Sequence, residues 1–284
     1  MTAASYLTGS ALDADFLDRL PELISAVSPQ TADLPEAGRT WVVHGSAPLG
    51  QARPGGDIDV LLLLPGPLDA PTPHRRIARR GRTPVTVHVL TFGDLADDGS
   101  ARRFGGYFSL RLFTPFVADG AIPVPALAMA TARFLGPLAR AVTVRGVPGP
   151  WNSDQVLAHG YLAFLDLYPD YAGYLARLAA DRGRWREVWS HQRDVYVEAL
   201  RRTGHTAPVA GGGWRYTGLS PVTDPLRERA RCVARFWALG ATCHGADAGF
   251  PDAYFRSVDE RATRREQAAA VLLVHDIAAS GRCP

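Results

Sequence analysis

The stretch Trp41–Leu64, WVVHGSAPLGQARPGGDIDVLLLL, holds the residues of this chain whose types and spacing can do chemistry together. Asp57 and Asp59 stand two apart at the head of an apolar run. In a strand both carboxylates therefore leave one face, while Ile58 and Val60 point the other way into a core. Two carboxylates side by side repel, and a cation relieves the repulsion. Mg²⁺ suits such a pair, because it prefers oxygen ligands and combines one or two carboxylates with substrate phosphates. Ions held this way can stabilise the attacking and leaving oxygens of an in-line phosphoryl displacement. Gly45 and Ser46 close the preceding apolar run, where a missing side chain and a small hydroxyl let a phosphate approach backbone N–H groups. Taken singly, Gly45-Ser46 is compatible with a plain turn, and the aspartates with solvated strand-end charges. Their joint occurrence, with ten residues between Ser46 and Asp57, is far more specific.

The elements that must position these residues are legible from periodicity. Trp41–His44 predicts a strand that ends at Gly45-Ser46. Asp57–Leu64 begins with alternation and turns wholly apolar, as a central buried strand does. Val85–Phe92 is rich in β-branched residues and predicts a third strand. Asp13–Val27 carries one apolar helical face with Pro21 at a kink. His74–Arg82 is short and basic, with Arg75, Arg76, Arg79, Arg80 and Arg82. Arg suits bidentate phosphate contact, but the plainer account is a solvated basic helix face. Phe104–Val117 is aromatic, ambiguous between helix and strand, and expected in the core. Beyond it the texture becomes helical: Ser153–Leu167 with Ser153 as N-cap, Arg184–Thr203, a helix from Pro225 to about His244, and a last one from the capping pattern Ser257/Glu260 to about Ala279. Gly211–Gly213 before Trp214 reads as a connector between helices, with a lid as the alternative. The breaker-rich Val144–Pro150 separates the two textures. The expected organisation is an α+β domain over residues 1–146, a mixed sheet with flanking helices, followed by a C-terminal helical bundle over 147–284.

An apolar strand, Gly-Ser, a short helix and Asp-x-Asp on the next strand resembles the DNA polymerase β-like nucleotidyltransferase superfamily. Gly50, four residues after Ser46, matches the common small version of the motif. In layout the chain is similar to the small-molecule (antibiotic) nucleotidyltransferases, a minimal catalytic domain followed by a helical bundle. The motif covers about 41–92, and the layout extends the likeness loosely over the rest. The resemblance implies a nucleotidyltransferase-like sheet in which Gly45 and Ser46 hold nucleotide phosphates while Asp57 and Asp59 bind Mg²⁺ and are catalytic. It implies transfer of a nucleoside monophosphate from an NTP, such as ATP, onto a hydroxyl of a small-molecule acceptor, with release of pyrophosphate. The helical half would supply the acceptor pocket. Because relatives of this layout complete their sites across a dimer, the resemblance also allows a homodimer.

This sequence departs from the family at one point. The family places a third carboxylate on the next strand, whereas Val85–Phe92 offers Thr86 and His88 on one face, and no Asp or Glu occurs between Asp69 and Asp94. Three accounts stay open. His88 serves as the base, since imidazole titrates near neutrality; its alternative is a strand histidine hydrogen-bonded within the fold. A carboxylate from the helical half, among Asp154, Asp166, Glu187, Asp194 and Glu198, completes the site. Or catalysis has been lost, leaving a silent protein that binds nucleotide or a partner.

Composition removes other chemistries. All thirty-one basic side chains are Arg and none is Lys. Schiff-base aldolases, pyridoxal-phosphate enzymes, Walker P-loops and ordinary protein kinases all need that Lys. At 46% hydrophobic and 21% charged residues the chain has material for a sizeable core. The net charge of +3 does not argue for nucleic acid as a partner. No apolar run approaches the roughly 18–20 residues of a membrane span. The first fifteen residues lack Arg and carry Asp13 and Asp15, unlike a secretory signal. Cys232, Cys243 and Cys283 are odd in number and widely spaced, which fits reduced thiols and a cytoplasmic location. His159, His191, His205, His244 and His275 show no metal-ligand spacing.

Overall fold

The apolar runs become the centre of a mixed sheet. The computed structural model describes residues 3–5, 16, 18–49, 56–100, 103–112, 116–120, 149–167, 171–202, 204–217, 227, 230–231, 234–235, 238–239 and 264–284. The chain divides into two compact units, Met1–Ala130 with Ala238–Ala246, and Thr131–Trp237 with Asp247–Pro284. Gly50, the helix expected from Pro225 to His244 as a continuous element, the Ser257/Glu260 pattern and most of Val144–Pro150 lie outside the described residues. Among the described residues no helix is long and apolar enough to cross a membrane.

The first unit is built on six strands: β1 (Ala3–Ser5), β2 (Thr40–His44), β3 (Ile58–Leu64), β4 (His74–Arg80), β5 (Thr83–Thr91) and β6 (Phe116–Asp119). They are ordered β1-β6-β2-β3-β5-β4, with β3 and β5 parallel and every other pair antiparallel. A strand paired on both sides and covered on both faces must be apolar at every position. That is why β3 lies centrally, and Leu61–Leu64 have no exposure at all. Each such leucine contributes about 2 kcal/mol of burial relative to an exposed one.

Helix α1 (Leu20–Val27) buries Leu20, Leu23, Ile24 and Val27. Pro21 does not kink a longer helix as expected; it sits in the first turn of α1, after Arg19, where its missing N–H costs no hydrogen bond. Helix α2 (Phe92–Ser100) follows β5 directly and opens with a reciprocal cap. The Asp94 amide donates to Thr91 Oγ1 at 3.0 Å, while Asp94 Oδ2 accepts the Thr91 amide at 2.9 Å.

The basic run is a strand, not the expected helix face. Gly81, at φ +60°, and Arg82 form a two-residue turn between β4 and β5. Period two then divides the arginines between two faces. Arg76 and Arg80 lie on the face toward α1: Arg76 pairs with Asp33, its Nη2 at 2.9 Å from Oδ2, and Arg80 donates to Glu22 at 2.6 Å. Arginines on an edge strand also keep foreign strands from pairing there.

In the second unit four helices are described: α3 (Ser153–Leu167), α4 (Tyr171–Ala180), α5 (Arg182–Arg202) and α6 (Arg264–Ser280). α6 packs on α3 and α4, and α5 packs on both as well. The N-cap of α3 is Asn152 rather than Ser153, one residue earlier than expected. The Gln155 amide donates to Asn152 Oδ1 at 2.9 Å, and Gln155 Oε1 accepts the Asn152 amide at 3.1 Å. Tyr161, Trp185 and Trp189 stack in the interior of this unit. Gly211–Gly213 form the turn of a hairpin, β7 (Thr206–Pro208) and β8 (Trp214–Tyr216), which periodicity did not reveal. Trp214 exchanges backbone hydrogen bonds with Trp151 and donates Nε1 to Ser153 Oγ at 3.0 Å, which anchors it beside the start of α3.

The Arg76 guanidinium holds the Asp33 carboxyl down at about 2, from 3.8, chiefly by direct hydrogen bonding. A lowered carboxylate value means the pair supports the fold above pH 3.8 and loses that support as the pH falls toward 2. Arg76→Gln is expected to return Asp33 to near 3.8 in a carbon-detected NMR titration, leaving the other carboxylates of this unit unmoved.

Candidate active site

At one end of the sheet, β2 finishes beside the start of β3. His44 pairs in register with Asp59, Asp59 in turn with Thr86 of β5, and Thr86 with Ile77 of β4. Residues paired across strands share a face, so His44, Asp59, Thr86 and Ile77 form one row. Asp57, two residues before Asp59, lies on the same side. Its Oδ2 accepts the Thr86 hydroxyl at 2.9 Å. Asp57 is exposed and Asp59 half-buried. The structure thus brings both aspartates to one face at an accessible strand end.

Gly45 follows β2 with φ +81°, a backbone region that a side chain strains. A Cβ there would stand 3.3 Å from Asp59 Oδ2. The glycine therefore serves two needs, reversing the chain and leaving room beside the carboxylate. Ser46 comes next, followed by a single 3₁₀ turn, Ala47–Leu49, which stands where the short helix is expected.

His88 lies on this face but one register step further in, opposite Leu61, and only 2% of it is exposed. The Tyr107 and Phe108 rings meet it edge-on, each with centroids 5.6 Å away. The residue of β5 that stands across from Asp59 is Thr86. The aromatic segment expected in the core is indeed buried at Tyr107 and Phe108, and it covers His88 as a loop ending in a 3₁₀ turn, Ser109–Leu112. One buried carboxylate holds that loop. Asp98 of α2 accepts the amides of Phe104 and Gly106 on Oδ1 and those of Phe108 and Ser109 on Oδ2, at 2.7–3.0 Å. Neither Asp98 nor this role was visible in local sequence, since four amides from a later loop converge only in three dimensions.

His44 also escaped the sequence reading, although it directly precedes Gly45-Ser46. It is buried next to Asp59 in register, and neither ring nitrogen has a hydrogen-bond partner among the described residues. Burial first, then the charges of Arg111 and His88, push its protonation well below 6.5, so the ring is neutral at pH 7.

Of the carboxylates considered from the helical half, Asp154, Asp194 and Glu198 have partners within their own unit. Asp154 accepts Trp189 Nε1 at 2.9 Å and Arg193 Nη1 at 3.3 Å. Asp194 accepts Arg193, and Glu198 binds Arg201 and Arg202, which hold its carboxyl at about 2. Glu187 is exposed, and the Asp166 side chain lies outside the described residues. His159 is buried with Nδ1 3.0 Å from the Tyr216 hydroxyl, a contact within the fold.

The donor set fits a hard divalent ion. Two carboxylates share a face, one of them reachable from solvent, and Gly45 leaves space beside the other. Among the described residues no group of three or more His, Cys, Asp or Glu side chains is placed to hold a metal. No family model matches the sequence, and no curated protein matches it either.

Gly45→Ala is expected to cost about 1–2 kcal/mol from its left-handed backbone alone, read as a lower urea midpoint. Asp98→Ala strands four amides, three of them buried, and should cost about 3 kcal/mol or more by the same measurement.

Proposed function

We propose that the chain is a Mg²⁺-dependent nucleotidyltransferase, moving a nucleoside monophosphate from an NTP onto a hydroxyl of a small molecule. The observation that carries this is the Asp57–Asp59 pair on one sheet face, with Gly45 leaving its Cβ position vacant 3.3 Å from Asp59 Oδ2. The succession of β2, Gly45-Ser46, a short 3₁₀ turn and β3 supports a nucleotidyltransferase-like sheet.

In this reading Asp57 and Asp59 hold Mg²⁺, which when bound neutralises phosphate charge. The Gly45-Ser46 turn offers backbone N–H groups and a hydroxyl to the nucleotide phosphates. Thr86, by donating to Asp57, orients that carboxylate. The acceptor oxygen forms a bond to the α-phosphorus as the bond to the bridging oxygen breaks, and pyrophosphate leaves with that oxygen. Among the described residues the exposed Asp57 carboxylate is the group on this face open to receive the hydroxyl proton, whereas His88 lies one step inward, 2% exposed against Tyr107 and Phe108. Positioning and electrostatics carry most of such a reaction, so a weak base suffices.

One observation favours a second reading, a silent protein that binds nucleotide or a partner: Thr86, not a carboxylate, faces Asp59 across β5. Calorimetry with each of the four NTPs, with and without Mg²⁺, and a pyrophosphate-release assay separate the two. The transferase reading expects Mg²⁺-dependent NTP binding and turnover, both abolished in Asp59→Asn with an unchanged circular-dichroism spectrum. A fully active Asp59→Asn protein refutes it. Mg²⁺-dependent binding without pyrophosphate release from any acceptor points to the silent protein.

A further inference from the structure

The five arginines of the β4–β5 hairpin do not share one job. Arg76 and Arg80 are held by Asp33 and Glu22 on one face of β4. Arg75 and Arg79 alternate onto the other face, the one that carries Asp57 and Asp59. Arg75 pairs in register with His88 and Arg79 with Pro84, so the two bracket the row that runs through Ile77, Thr86 and Asp59. Neither makes an ion pair or a side-chain hydrogen bond among the described residues, and Arg79 is exposed. Between them Ile77 is 53% exposed, so no described element of the first unit covers this face of β4. Two strand spacings, roughly 10 Å, separate β4 from β3, too far for these guanidiniums to be mere counter-ions of the aspartates.

The position relative to Gly45-Ser46 decides what such cations would meet. That turn lies on the β2 side of the aspartates, whereas Arg75 and Arg79 lie beyond β5 on the opposite side. In an in-line displacement the attacking and leaving oxygens stand on opposite sides of the transferred phosphorus. With the nucleotide phosphates at Gly45-Ser46, the β4 side is left to the acceptor.

Building on the transferase reading above, we propose that Arg75 and Arg79 bind a phosphate group carried by the acceptor, so that the acceptor is a phosphate-bearing hydroxyl compound. Guanidinium forks match phosphate oxygens bidentately, and the two arginines approach from either end of about four residues of strand, roughly 13 Å. Ile77 lies between them as an apolar platform for the body of the molecule. Cationic acceptors are disfavoured here, because the exposed charge of β4 on this face is all positive.

The test titrates inorganic phosphate into the isotope-labelled full-length protein and follows the Arg75 and Arg79 Nε–Hε resonances by NMR. Both should move together along one saturable curve, with or without Mg²⁺ and NTP. Arg75→Gln/Arg79→Gln should weaken phosphate binding, read from phosphorus line shapes, by about tenfold. Its Mg²⁺-dependent NTP binding by calorimetry should equal that of the wild type. Unchanged phosphate binding in the double variant overturns the proposal. So does loss of NTP binding along with it, which would assign the arginines to the nucleotide. If the double variant fails to fold, Arg79→Gln alone, at an exposed position, answers the same question. A wild type that binds NTP but shows no saturable shift at either arginine overturns the acceptor site and leaves the transferase reading standing. Phosphate binding at these arginines without any Mg²⁺-dependent NTP binding removes the transferase reading, and the acceptor role with it.

Discussion

Two like charges on one face of a strand that is otherwise wholly apolar form the constraint around which the first unit is arranged. Asp57 and Asp59 repel each other, and β3 behind them has no room for water. Both must therefore stay at the strand's open end, where Asp57 keeps its exposure and takes a hydrogen bond from Thr86. The same demand explains Gly45: a residue with a side chain at the end of β2 would crowd Asp59. It also explains why β2 and β5, rather than the edge strands, flank β3. Both are apolar enough to seal its remaining length on the two sides.

Around that end the polar side chains fall into layers. Asp57, Asp59 and Thr86 stand at the rim. His44, in register with Asp59, and His88, one step further in, are buried, and burial keeps the His44 ring neutral at pH 7. Tyr107 and Phe108 close over His88, held in place by Asp98 through four backbone amides. A carboxylate with four donors is well compensated for its burial, and it makes the cover part of the fold. Thr91 and Asp94 fix the start of the helix that carries Asp98, so the cover is tied back to the strand bearing Thr86 and His88. The edge strand β4 divides its charge by the same logic. Arginines that face α1 find carboxylates, and those that face the aspartate side of the sheet find none among the described residues.

The second unit rests on different physics. Its helices are joined by stacked aromatic rings and by polar side chains that cap one helix while reaching another. Asn152 and Gln155, for instance, cap α3 and also donate to backbone carbonyls of Gly281 and Ala278 at the end of α6. Among its described residues Asp154 and Asp194 bind Arg193, and Glu198 binds Arg201 and Arg202.

Local sequence determined the three central strands, the helix Ser153–Leu167 and the shared face of the two aspartates. Each follows from a short-range period or from a hydrophobic run that no other environment accommodates. The hairpin of the second unit and the extra helix Tyr171–Ala180 were not legible. Short strands and small-residue helices carry weak periods of their own. The basic run illustrates the limit more sharply. HRRIARR satisfies a solvated helix as well as an edge strand, and only pairing with β5 separates Arg75 and Arg79 from Arg76 and Arg80. A Gly-X turn after it was the available signal. That Thr86 rather than His88 faces Asp59, and that Asp98 gathers four amides from the loop over His88, were decisions of tertiary structure alone. Register across strands and convergence of distant backbone groups are set by how whole elements pack, and no local pattern of residues encodes them.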